Sequence, residues 1–134
     1  MKIKVTAQQR ANAIEALEVM WPSVPPGNVS RYLMSFTLGD DDRTSCRTIA
    51  CFGGWCARWP GFIAQGARLD LYGNPSLGRH KGINVGQKLF GSHMLFMARE
   101  LDEIGTDHEV VNTRLHNLIS NSEVRIAGIF GGAP

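Results

Sequence analysis

The sequence predicts a mainly α domain of about five short helices with a minor β element, the alternative being an α+β arrangement. Three observations carry that expectation. Two capping boxes stand ahead of runs with helical spacing, Pro and Gly cut the chain into short pieces, and few stretches alternate as strands do. With 134 residues, 43% hydrophobic and 19% charged, the chain is one domain's worth (1–134) and is neither a disordered polyampholyte nor a membrane protein.

Thr6-Ala7-Gln8-Gln9 has the form of a capping box. Ala7, Ala11, Ile14, Leu17 and Trp21 then recur at spacings of three and four, as on one buried helix face. Pro22 and Pro25-Pro26-Gly27-Asn28 stop that helix. Arg31 to Leu38 reads as a short strand, and Gly39 with Asp40-Asp41-Asp42 as a solvated turn. A short buried helix is expected from about Thr48 to Arg58, closed by Pro60-Gly61, because the segment is rich in small and apolar residues. Its glycines cost about 1 kcal/mol each against alanine, a cost that usually accompanies close approach to another backbone. Residues 61–82 read as irregular. Ile83–Phe90 is the next helix, and Ser92 is expected to cap another, with Leu95, Met97, Ala98 and Leu101 buried and Gly105 at its end. Thr106-Asp107-His108-Glu109 is the second capping box, opening a helix that buries Val110, Val111, Leu115, Leu118 and Ile119. Val124–Phe130 reads as a strand and residues 131–134 as a frayed tail.

Cys46, Cys51 and Cys56 are an odd, closely spaced set, which fits a reducing cytoplasm better than a disulfide framework. The N-terminus lacks the apolar core of a signal peptide, and no apolar run approaches the roughly 18–20 residues of a membrane span. The expected setting is therefore cytoplasmic, with no membrane partner.

Cys46-x-Thr48-x-Ala50-Cys51-x-x-Gly54-Trp55, preceded by Pro-Pro and Leu33-Met34 and followed by Leu89-Phe90 and Arg114-Leu115, resembles a family of small proteins from bacteria and their phages. That family carries a C-G-T-x-x-C-x-x-G-W core. The likeness runs over residues 22–119; Arg47 stands where the family has glycine, and the 61–82 insert is longer. The resemblance implies a mostly helical fold and a phage or mobile-element origin, and implies no activity.

Five residues of helix turn about 500°, so three cysteines at that spacing do not converge on one ion, and no metal site is expected. Cys51, Gly54 and Trp55 are expected in the core, where Gly54→Leu and Trp55→Ala would destabilise the fold. Cys46, beside Arg47 and just before a helix start, is the one candidate nucleophile, although no local signature supports it.

Charge is unevenly spread. Residues 43–88 hold seven arginines and lysines against Asp70, a net of +6, while residues 1–42 carry −1 and residues 89–134 carry −3. Arg58, Trp59, Arg79, His80 and Lys81 are therefore the candidate binding residues, the cations for phosphate and Trp59 for stacking on a base. No phosphate-loop or dinucleotide-binding motif is present, and no cofactor is expected.

The leading expectation is a small non-enzymatic phage or mobile-element protein that binds and modulates a host protein, as in counter-defence or host takeover. The alternative is a nucleotide or nucleic-acid binder using segment 43–88. A cysteine-dependent enzyme is the third, and a homodimer stays open.

Overall fold

Two capping boxes set the two longest helices. The computed structural model describes residues 2–25, 52–71, 73–97 and 100–125. In the first box the Thr6 hydroxyl accepts from the Gln9 amide at 3.0 Å and the Gln9 side chain accepts from the Thr6 amide at 2.8 Å, opening α1 (Ala7–Glu15). In the second, Thr106 and Glu109 exchange the same pair of bonds at 3.1 and 2.8 Å. The helix that follows, Asp107–Asn121, buries Val110, Val111, Leu115 and Leu118 as the sequence predicts. Ile119 is half-buried against the core.

The chain is mainly α with a minor β element. β1 (Ile3–Val5) precedes α1, which runs on into one π turn, Ala16–Met20, and a 3-10 turn, Trp21–Ser23, containing Pro22. α2 is Phe52–Cys56 and α3 is Pro60–Ile63. β2 (Ala67–Leu69), β3 (Pro75–Leu77) and β4 (His80–Lys81) form an antiparallel sheet in that order. α4 (Ile83–Phe90), a 3-10 turn at His93–Phe96 and α5 (Asp107–Asn121) follow. β5 (Ser122–Val124) then pairs in parallel with β1, Ile3 opposite Ser122 and Val5 opposite Val124. Of the expected 48–58 helix, Phe52–Cys56 is helical as α2, Ala57 and Arg58 form a turn and residues 48–51 lie outside the described residues, while α4 has the predicted bounds. The expected strand at 31–38, the acidic turn 40–42, Cys46, Cys51, residues 126–130 and the 131–134 tail lie outside the described residues.

Four expectations are corrected. First, the buried face of α1 is rotated: Trp21 is buried as expected, but with it Asn12, Ala13, Ala16 and Met20, whereas Ala7 and Ala11 are exposed and Ile14 and Leu17 half-buried. The cause is Asn12, whose side-chain amide is fully engaged. It donates to Leu89 O at 2.8 Å and Gln65 Oε1 at 2.9 Å and accepts from Gln65 Nε2 and Gln8 Nε2. A buried amide is tolerated when every bond is made, and the wider π turn then brings both Met20 and Trp21 inward.

Second, Pro60 opens a helical turn rather than closing one, a position that tolerates proline because the first amides of a helix lack intrahelical partners. Third, the described residues of 61–82 are not irregular but hold the end of α3 and the β2–β4 sheet, whose strands of two or three residues are too short to show alternation. Fourth, the expected helix after Ser92 stops after one 3-10 turn. Leu95 and Phe96 are buried, Met97 is half-buried and Leu101 is fully exposed. The Met94 carbonyl accepts the 3-10 bond from the Met97 amide at 3.2 Å and also a bond from the Arg114 guanidinium at 2.7 Å, and the Met97 carbonyl accepts from the same guanidinium at 2.8 Å.

Five fully buried aromatic rings, Trp21, Phe52, Phe62, Phe90 and Phe96, form the centre of the core. Phe52 meets Trp21 edge-on at 5.2 Å and Phe96 edge-on at 5.7 Å, and Phe62 meets Phe90 edge-on at 5.4 Å. Phe96 lies between two helical glycines. A Cβ on Gly53 of α2 would stand 2.9 Å from its Cδ2, and one on Gly86 of α4 2.9 Å from its Cδ1 and 3.1 Å from Ser92 O. Gly53 thus admits side chains, the Phe96 ring and Pro75, rather than another backbone, whereas Gly86 admits both the ring and the Ser92 carbonyl. Gly86→Ala is expected to destabilise the fold by about 1–2 kcal/mol, because overpacking outweighs a propensity gain of about 1 kcal/mol. Phe96→Leu in the same chain should relieve much of that loss in a double-mutant denaturation cycle. Higher stability for Gly86→Ala alone would contradict the packing.

Candidate functional site

Arg79, His80 and Lys81 come together on the β3–β4 hairpin. Gly78 turns it at φ +63, Arg79 and Lys81 are exposed and His80 is half-exposed. Lys81 Nζ lies 3.9 Å from a carboxylate oxygen of the half-buried Asp70, a long contact from an exposed lysine and so of little energetic weight. His80 borders a cleft of about 290 Å³ that it shares with Gln9 of α1 and with Asn84, Gln87 and Lys88 of α4.

Arg58 and Trp59 are not part of that cleft. The Arg58 guanidinium sits 5.4 Å from the centre of the Trp55 ring, a cation–π contact at the end of α2. Trp59 packs half-buried on the core and donates its indole N–H to a Glu15 carboxylate oxygen on α1. Of the expected core motif, Gly54 is buried, but Trp55 is only partly buried. Cys56 is buried within the core.

A second surface centres on Arg114, 7% exposed on α5. Its Nε donates to Glu103 Oε2 at 2.7 Å and its Nη2 to Glu103 Oε1 at 2.6 Å, a two-pronged pair that only a planar guanidinium makes. Nη1 holds the Met94 and Met97 carbonyls. Glu103 Oε1 also accepts from the Glu100 amide at 2.7 Å, closing the turn before it. One side chain therefore fastens both the 93–96 turn and the 100–105 loop to α5.

What that loop presents is unusual. Leu101 and Ile104, on either side of Glu103, have relative exposures of 106% and 89%. Residues 100–109 hold five carboxylates, Glu100, Asp102, Glu103, Asp107 and Glu109, and no lysine or arginine. Glu103 is paired with Arg114 and Glu109 caps α5, whereas the exposed carboxylates of Glu100 and Asp102 make no hydrogen bond or ion pair among the described residues. Beside the loop is a cavity of about 250 Å³ bordered by apolar Ile3, Met94, Leu95 and Leu118, with Glu103 and Arg114 in its wall. Ile3 and Met94 are themselves partly exposed. The acid count was readable in the sequence; the exposure of Leu101 was hidden by the expectation that it lies on a buried stripe.

Among the described residues no group of three or more His, Cys, Asp or Glu side chains is placed to hold a metal ion. None of the described helices is long and apolar enough to cross a membrane. No family model matches the chain, and neither a curated protein nor a solved structure matches it.

Proposed function

We propose that the protein is a non-enzymatic binding protein that acts by occupying a surface of another protein through its 100–105 loop. The observation that carries this reading is the pairing of two fully exposed aliphatic side chains with a buried clamp that fixes them in place. Burying one such side chain in a partner's pocket yields about 1.5–3 kcal/mol. A loop already held by Arg114 loses little conformational freedom on binding. The uncompensated Glu100 and Asp102 favour a partner with a basic rim, since complementary charge raises the association rate and fixes register.

The likeness of Cys46–Trp55 to small phage and bacterial proteins supports a phage or mobile-element setting, with a bacterial host protein as target in the host cytoplasm. Leu101→Asp with Ile104→Asp is expected to weaken binding to that target at least tenfold. The melting temperature should stay unchanged, because neither side chain is packed. Quantitative capture of partners from bacterial lysate with the original and substituted chains, each checked for folding, reads this out. Retention of the same partners in the same amounts by the doubly substituted chain, or of none by either, overturns the reading.

A further inference from the structure

The cleft between β4 and α4 is independent of the 100–105 loop and has a different chemistry. Asn84 and Lys88 are four residues apart on α4 and so share one face with Gln87. Across from them stand His80 of β4 and Gln9 of α1. The side chains of His80, Asn84 and Lys88 make no hydrogen bond or ion pair among the described residues, although all three border one cleft. The two glutamines are fixed. Gln9 Nε2 donates to the carbonyls of Gln87 and Lys88 at 3.3 Å each, and Gln87 Oε1 lies 3.3 Å from His93 Nδ1. With that oxygen engaged by a ring N–H, the Gln87 amide nitrogen is the group left for a ligand.

The cleft thus offers donors from Lys88, His80, Asn84 and Gln87, and among the described residues no carboxylate borders it. Arg79 and Lys81 flank His80 in the chain. Several N–H donors around a cationic ammonium, with no competing anion, suit a compact ligand with many acceptor oxygens. Among the described residues no Trp, Tyr or Phe borders the cleft, and Trp59 is bound to Glu15 elsewhere, so they supply no base-stacking platform of a nucleotide site there.

We propose that this cleft is a phosphate-binding site that takes a free phosphate or the phosphate of a small phosphomonoester between His80 and Lys88. Lys88 supplies the charge, His80 and Asn84 direct hydrogen bonds, and Gln9 and Gln87 hold the cleft open through their backbone and His93 contacts.

The test is a titration of the isotopically labelled full chain, followed by amide NMR, with inorganic phosphate, glycerol 3-phosphate, glycerol and chloride at matched ionic strength. Saturable shifts confined to residues 80–88 and Gln9, with phosphate or glycerol 3-phosphate but not with glycerol or chloride, are expected. Tighter binding of glycerol 3-phosphate identifies an ester as the ligand, and equal or weaker binding a free phosphate. Lys88→Glu should weaken either phosphate probe at least tenfold, while Lys2→Glu, the same charge change on an exposed residue outside the cleft, should leave it unaltered. Melting temperatures verify that both variants fold. Non-saturating shifts, an equal response to chloride, or undiminished binding by Lys88→Glu overturns the proposal. So does binding of a single-stranded oligothymidine when neither phosphate probe saturates.

Discussion

Arg114→Ala is expected to cost about 3 kcal/mol of stability, the lower end of the 3–5 kcal/mol typical of breaking a buried ion pair. The lower end applies because the Glu103 side chain keeps 23% of its surface in contact with solvent. The loss has three parts: the Glu103 carboxylate loses its two-pronged partner, and the Met94 and Met97 carbonyls each lose a charged donor. For a chain of this length the melting temperature should fall by roughly 10–15 °C. Arg114→Lys should recover little of it, since a single ammonium cannot span a carboxylate and two carbonyls in fixed directions. Glu103→Gln should cost less than Arg114→Ala, because it keeps an acceptor for the Glu100 amide and for one guanidinium N–H. Urea denaturation ranks the three variants. Limited proteolysis adds a local reading, with cleavage near Leu101 accelerated once the clamp is gone. Equal stability for Arg114→Ala would show that the guanidinium is not what holds the 93–105 region on α5.

Trp21→Ala should cost about 3–5 kcal/mol, the range for removing a fully buried large aromatic side chain. Trp21 is wholly inaccessible, meets Phe52 edge-on, and stacks on the His108 ring at 4.8 Å with the planes 18° apart. Two further bonds run in opposite directions between these residues. The Trp21 indole N–H donates to His108 O at 2.9 Å, and His108 Nε2 donates to Trp21 O at 3.1 Å. Trp21→Phe keeps most of the apolar contact and loses the indole bond, so a cost of about 1–2 kcal/mol is expected. Trp55→Ala, singled out in the sequence as a core change, should cost less than Trp21→Ala, because Trp55 is only partly buried and carries Arg58 on its face. Denaturation of Trp21→Ala and Trp55→Ala side by side decides the order. A larger loss at Trp55 would return the weight of the core to the Cys46–Trp55 motif.

Local signals were legible and tertiary ones were not. Both capping boxes and the bounds of α4 could be read because each depends on residues within a few positions of one another. The helix expected after Ser92 has good local chemistry, and its hydroxyl does cap the first turn. It ends early where Met97 turns to an extended conformation, and the carbonyls at that end are held by a guanidinium from about twenty residues downstream. The phase of α1 was misread for a similar reason, since nothing near Asn12 in the chain announces that Gln65 and Leu89 will satisfy it. Within the basic segment Arg79, His80 and Lys81 are chain neighbours, and the structure sets them on a β-hairpin where the sequence reads as irregular. The sequence could not show that Lys88 and Asn84 border a cleft with His80, or that Arg58 and Trp59 are engaged by Trp55 and Glu15.

The parallel pairing of β1 with β5 bears on the order in which the chain folds. Lys4 and Glu123, neighbours across that pairing, are 119 residues apart in sequence, close to the longest separation this chain permits. The two strands are three residues each, so little hydrogen bonding offsets the entropy of closing so large a loop. Their pairing becomes favourable only after α1 and α5 have docked and brought their flanking residues within reach. The helices, nucleated by contacts three residues apart, can form on their own timescale; the strand pair must wait for the rest of the core and raises the contact order of an otherwise locally wired fold. Its last backbone bond, from the Arg125 amide to Val5 O at 2.8 Å, therefore belongs to the latest step of folding and to the first to open.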